Sequence, residues 1–157
     1  MRKRLITPIR QDQRHLDRDW LDLEHLAEVE ITSEDALHPI ESALLPGTGA
    51  GWRAAGPGKQ CIRLLFSSPQ RIRCIRLNFV ESSVRRTQEY VLRWSADGGQ
   101  SFREIVRQQW NFDPAGATAE TEDHKVDLPG VTTLELDIVP EIGGGDALAS
   151  LARLQIA

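Results

Sequence analysis

The chain predicts an all-β protein, an antiparallel sandwich or barrel, and three observations carry that prediction. Asp97-Gly98 lies between two strand-like runs, residues 89–95 and 102–110. Asp-Gly between β-rich runs is a strong hairpin signal, because both central residues of the tightest turns need positive φ. Apolar and polar residues also alternate with period two: Ile75, Leu77 and Phe79 against Arg76 and Asn78, then Leu134, Leu136 and Ile138 against Glu135 and Asp137. That pattern gives a strand one buried and one wet face. Finally, turn residues punctuate the chain at short intervals and leave little room for helix, the mark of a sandwich or barrel. At 157 residues the chain suffices for one domain with its own core.

Taken in order, residues 1–27 read as an N-terminal arm, short-helical or irregular. Residues 1–14 carry no pattern; Leu16, Trp20, Leu23 and Leu26 then recur near helical spacing, while Leu21, Leu23 and the run Val29-Glu30-Ile31 alternate. The sandwich domain spans 28–157 and opens with a strand at 28–32. Thr32, Ser33 and Asp35 are turn and cap residues. Residues 40–45 form a turn or two of helix, stopped by Pro46-Gly47. A flexible Gly-rich stretch, 46–58, holds Trp52. Strands follow at 61–66, ended by Ser67-Ser68-Pro69, and at 75–79. A polar loop at 81–87 precedes the hairpin, and a second fills 111–123. Residues 125–128 are a short strand closed by Pro129-Gly130; another strand at 134–138, a loop at 140–146 and a last strand at 151–156 complete the chain.

Composition excludes several classes. A net charge of −4 offers no basic face for nucleic acid. No run reaches membrane-spanning length. The start, Met1-Arg2-Lys3-Arg4, is basic but lacks the apolar run of a signal peptide, so a cytoplasmic protein is expected. Cys61 and Cys74 match no metal-ligand spacing and read as reduced, packed thiols.

One ordered series covers nearly all of 28–157. It runs Glu30-Ile31-Thr32-Ser33-Glu34-Asp35, Ala43-Leu44, Trp52-Arg53-Ala54 and Gln60-Cys61-Ile62-Arg63-Leu64-Leu65-Phe66. Val91-Leu92-Arg93-Trp94-Ser95-Ala96-Asp97-Gly98-Gly99 with Phe102, and Ala149-Ser150-Leu151, complete it. The series resembles the discoidin-like, or coagulation-factor type C, domains of the galactose-binding-domain-like superfamily. The resemblance implies an antiparallel jelly-roll β-sandwich with ligand loops at one end, in a family that binds carbohydrate, lipid headgroups or protein. It also implies fold far better than function. Sugar-binding relatives often hold a structural calcium through an Asp-Gly turn and a Glu in the last strand. Here the turn reads Leu45-Pro46-Gly47 and the strand carries Arg153; losing two hard oxygen ligands argues against the ion. No metal and no cofactor are expected.

Six residues are candidates for a ligand site. Trp110, at a strand-to-loop junction, can stack on the apolar face of a sugar ring. Arg85 and Arg86 can fork onto hydroxyls or a carboxylate. Asn111, His38 and Glu34 can hydrogen-bond, although Glu34 and Asp35 also suit helix capping. Trp52 and Trp94 read as core or rim. The spacing Ser95-x-Asp97-x-Gly99-x-Ser101-Phe102 is that of an Asp-box, a single one, taken as a turn device. Glu120, Glu122, Asp123 and His124 form an acidic stretch that raises glycoside hydrolysis, but no nucleophile or metalloprotease motif accompanies it. The expected function is a non-catalytic binding module for carbohydrate or another hydroxyl-rich ligand. The alternative is an intracellular domain for protein interaction or self-association, without a sugar site.

Overall fold

In the computed structural model, which describes residues 20–47 and 49–157, a short helix α1 (Leu23–Leu26) leads into β1 (Ala27–Ile31). A second short helix, α2 (Glu41–Leu44), precedes β2 (Trp52–Pro57). The frame is two long strands, β3 (Gln60–Val80) and β6 (Ala119–Val139). Between them lie β4 (Arg86–Ser95) and β5 (Arg103–Phe112), and after them β7 (Leu148–Leu151) and β8 (Arg153–Ile156). The irregular arm at 1–14 and Leu16 fall outside the described residues.

β3 and β6 each serve two layers. The first half of β3 pairs with the second half of β6, and the second half of β3 with the first half of β6. Register shifts between Leu65 and Cys74 mark the bend, and Gly130 absorbs it on the other strand with φ +90. One layer runs β1-β3-β6-β4-β5, and β8 pairs with the second half of β3 to complete the other. All pairings are antiparallel. The inner faces bury Ile62, Leu64, Leu92, Leu134, Leu136 and Ile138 against Ile75, Leu77 and Phe79. The Phe79 and Tyr90 rings meet at 5.2 Å between centroids.

Several expectations are corrected here. The separate strands at 61–66 and 75–79, and at 125–128 and 134–138, are halves of β3 and β6; proline and bend residues redirected a strand without ending it. The stretch 46–58 contains β2, held through Trp52↔Leu151 pairing. The loop 111–123 shrinks to 113–118, so the acidic stretch lies on a strand. β4 begins at Arg86 rather than beyond the 81–87 loop. The last strand divides at Ala152 because β7 pairs with β2 and β8 with β3.

The hairpin forms as expected, with its chemistry shifted by one residue. Gly98 (φ +73) and Gly99 (φ +89) take the positive angles, and Asp97 does not. Asp97 instead accepts the Ser101 hydroxyl at 2.5 Å, the Ser95 hydroxyl at 2.6 Å and the Ser101 amide at 2.9 Å, and these bonds hold its carboxyl below the usual range. Phe102 lies beneath Gly99. Gly51 makes a different demand. At φ +86, a Cβ there would stand 2.6 Å from the Leu151 carbonyl oxygen. Gly51→Ala is expected to cost at least about 1–2 kcal/mol from backbone strain alone and to loosen the β2–β7 ribbon. Urea denaturation of the variant checks this; an unchanged midpoint would refute it.

Candidate functional site

The turn at 35–38 docks on β2. The Asp35 amide donates to the Arg53 carbonyl at 2.8 Å, and the Arg53 amide to the His38 carbonyl at 3.2 Å. Trp52 locks the approach, its indole N–H donating to the Ser33 carbonyl at 3.0 Å. Glu34 Oε2 accepts the Ile40 amide at 2.9 Å, which ties the turn to the start of α2. Asp35 and His38 then face each other, Oδ2 to Nδ1 3.2 Å. The Leu37 amide, followed by His38 and Arg53, keeps the Asp35 carboxyl below the ordinary carboxylate range.

Arg53 stands half-buried beside this pair. Among the described residues no hydrogen bond or ion pair engages its guanidinium, and its charge is felt at both Asp35 and Arg86. Behind it, Arg86 is buried and held through its two terminal nitrogens, while its Nε finds no partner among the described residues. Its guanidinium donates to Gln88 Oε1 at 3.0 Å and to the Pro140 carbonyl at 2.9 Å. It pairs with Glu81 at 3.8 Å and lies 4.9 Å over the Phe112 ring. Burial draws its pKa below the usual arginine value, against the pull of Glu81 and Glu141. Arg86 thereby gathers the loops 81–85 and 140–146 beside the 35–38 turn.

The six sequence candidates separate accordingly. His38 is half-buried at this end, and Glu34 is exposed, with its carboxylate engaged by the Ile40 amide. Arg85 is exposed and paired with Asp113 at 3.0 Å. Asn111 is exposed and accepts the Thr87 hydroxyl at 2.7 Å. Arg86 is a buried strut rather than a loop arginine. Trp110 faces inward, packed on the core opposite Gln88 in the β4–β5 register, so its ring is no open platform at the loop end. Arg53 is the residue missed by sequence reasoning. Its alternation with buried Trp52 and Ala54 was the available signal, hidden by reading 46–58 as flexible.

A second polar cluster lies between the layers. Glu120, Glu122 and His124 share the inner face of β6 with their partners Phe79, Leu77 and Ile75. The Tyr90 hydroxyl is 2.8 Å from His124 Nε2. Glu120 is 4% exposed, and neither of its carboxylate oxygens, nor the Gln88 amide nitrogen or the Trp110 indole nitrogen, finds a partner. Burial first, then the neighbouring Glu122, pushes Glu120 up to about 7. Burial likewise pulls His124 below the usual imidazole value.

The place of the relatives' calcium does not fit a divalent cation here. Arg153 donates to the Gly47 carbonyl at 3.1 Å, so a guanidinium links the turn to the last strand and occupies that carbonyl. No helix among the described residues is long and apolar enough to cross a membrane.

No family model matches the chain, and no curated protein matches it. Solved structures do. A family 32 carbohydrate-binding module from Clostridium perfringens NanJ, in complex with galactose, aligns with TM-score 0.63 at 14% identity, over 87% of this chain and 96% of that one. A second Clostridium perfringens module, CpGH89CBM32-5, in complex with GalNAc-β-1,3-galactose, aligns with TM-score 0.59 at 21% identity, over 88% and 99%. A chitosan-binding module from a chitosanase/glucanase of Paenibacillus sp. IK-5 aligns with TM-score 0.60 at 15% identity, over 87% and 98%.

Proposed function

Proceeding from the discoidin-like, galactose-binding-domain-like fold that the chain shares with these modules, we propose that it is a non-catalytic carbohydrate-binding module. The observation that carries the reading is the unengaged Arg53 guanidinium beside the Asp35–His38 pair at the loop end of the sandwich. Arginine presents a planar fork of donors to adjacent hydroxyls. Asp35 supplies acceptors, and His38 a second ring of donors or acceptors. Galactose and GalNAc-β-1,3-galactose are bound by structures of this fold, which supports a saccharide here.

Catalysis is not part of the proposal. Glu120 and Glu122 stand two residues apart on one strand face, near enough for Glu122 to help raise the Glu120 carboxyl. Glycoside hydrolysis needs two carboxyls flanking the bond at about 5–10 Å.

Calorimetric titration with galactose and N-acetylgalactosamine tests the site. Affinity in the millimolar to micromolar range is expected, about −4 to −8 kcal/mol. Arg53→Ala is expected to weaken binding at least tenfold with an unchanged melting temperature. Equal affinity in the variant would remove Arg53 from the site. A second reading, a protein-interaction surface, rests on Leu37 (84% exposed), Val84 and Ile142, apolar residues on the three loops gathered around Arg86. Exposed apolar clusters rimmed by polar groups mark interaction surfaces. Self-association relieved by Leu37→Ser, with no sugar bound, would favour it.

A further inference from the structure

The outer face of the three-stranded layer carries two rows of facing side chains. Antiparallel register sets Thr121, Asn78 and Arg153 in one row, and Asp123, Arg76 and Gln155 in the next. Directly opposite residues share a face, and neighbouring strands lie about 4.8 Å apart, so each row spans about 10 Å. A groove of about 600 Å³ runs over these six residues.

Among the described residues its charges do not cancel. The Arg76 guanidinium is engaged by Asp123 through two bonds, 2.6 and 3.3 Å. Among the described residues the Arg153 guanidinium donates to the Gly47 carbonyl and pairs with no carboxylate. Asn78 donates its amide nitrogen to the Thr121 hydroxyl at 3.0 Å, and its carbonyl oxygen is buried beneath the groove without a donor. The groove therefore presents a guanidinium that no carboxylate among the described residues compensates, together with the Gln155 amide.

We propose that this groove binds a carboxylate-bearing saccharide, with Arg153 on the carboxylate and Gln155 on a neighbouring hydroxyl. Arginine matches a carboxylate in both charge and fork geometry. The polar floor suits a hydroxyl-rich chain and gives an apolar peptide or acyl chain nothing to bury against. The ligand class rests on the carbohydrate-binding reading; the location does not, since no residue of the loop-end site takes part.

The test is an amide chemical-shift titration with oligogalacturonate, neutral galactose oligomers and polyglutamate, on the unmodified protein and on Arg153→Glu, Arg153→Gln and Arg53→Ala. Oligogalacturonate is expected to move the amides of Asn78, Thr121 and Gln155 and to bind more weakly as salt rises. Arg153→Glu should weaken it tenfold or more, Arg153→Gln less, and Arg53→Ala not at all. Three results overturn the proposal: shifts confined to 35–38 and Arg53, affinity unmoved in both Arg153 variants, or equal binding of polyglutamate. Failure of neutral oligomers to bind, with the Arg153 dependence intact, removes only the loop-end reading.

Discussion

Glu120→Gln is expected to stabilise the protein by about 3 kcal/mol near pH 8, and by almost nothing near pH 4. Glu120 has an ordinary value of 4.5 and is held at about 7 in the fold, first by burial and then by Glu122. Below pH 4.5 the carboxyl is protonated in the folded and unfolded chains alike. Between 4.5 and 7 the unfolded chain releases the proton while the folded protein keeps it, so this group's contribution falls as pH rises and levels off above 7. Glutamine keeps the shape and removes the charge, which removes that loss. His124 works in the opposite sense: held below its usual value, it lowers stability as pH falls, because the unfolded chain takes its proton first. The wild-type curve mixes the two, and the difference between wild type and variant isolates Glu120. Urea denaturation from pH 4 to 8 measures it. At roughly 2–4 °C per kcal/mol for a chain of this size, the melting temperature near pH 8 should rise by on the order of 10 °C. Parallel pH profiles for the two proteins would refute the account.

Arg86→Ala is expected to destabilise by about 3–5 kcal/mol, the cost of breaking a buried pair from one side. Truncation would leave Glu81 buried without its cation, strand Gln88 Oε1 and the Pro140 carbonyl, and uncover Phe112. Arg86→Lys should recover only part of the loss, because a point charge cannot reproduce donors aimed in several directions. The informative comparison is with Arg53→Ala, on β2, expected to keep full stability while losing ligand. If Arg86→Ala instead left the unfolding midpoint in place and lowered sugar affinity, the strut assigned to Arg86 would be wrong and the residue would belong to the site.

The two arginines show where sequence reading stopped. Arg85 and Arg86 are adjacent and chemically identical in the chain, so both read as loop residues. In the fold the register of β4 turns Arg86 inward among Gln88, Pro140, Ser150 and Glu81 and leaves Arg85 outside on Asp113. Trp110 is a similar case. Its junction position suggested a platform, while the pairing with Gln88 decided that it faces the core. Glu120, Glu122 and His124 looked like a solvated loop because polar residues at every position mask alternation. The strand became evident only when β3 supplied Phe79, Leu77 and Ile75 as partners.

What the chain determined by itself was local. Period-two alternation, the Asp97 turn and the ordered series of motifs specify short strands, a hairpin and an antiparallel sandwich, because those signals act over a few neighbouring residues. Tertiary structure decided how the strands continued and which polar groups met. The bends at 66–74 and 129–130 joined four sequence strands into two. Placement of β2 set Arg53 beside Asp35, and β8 lined Arg153 up with Asn78. Such juxtapositions bring together residues dozens of positions apart, and they depend on register and packing between strands, which no local pattern encodes.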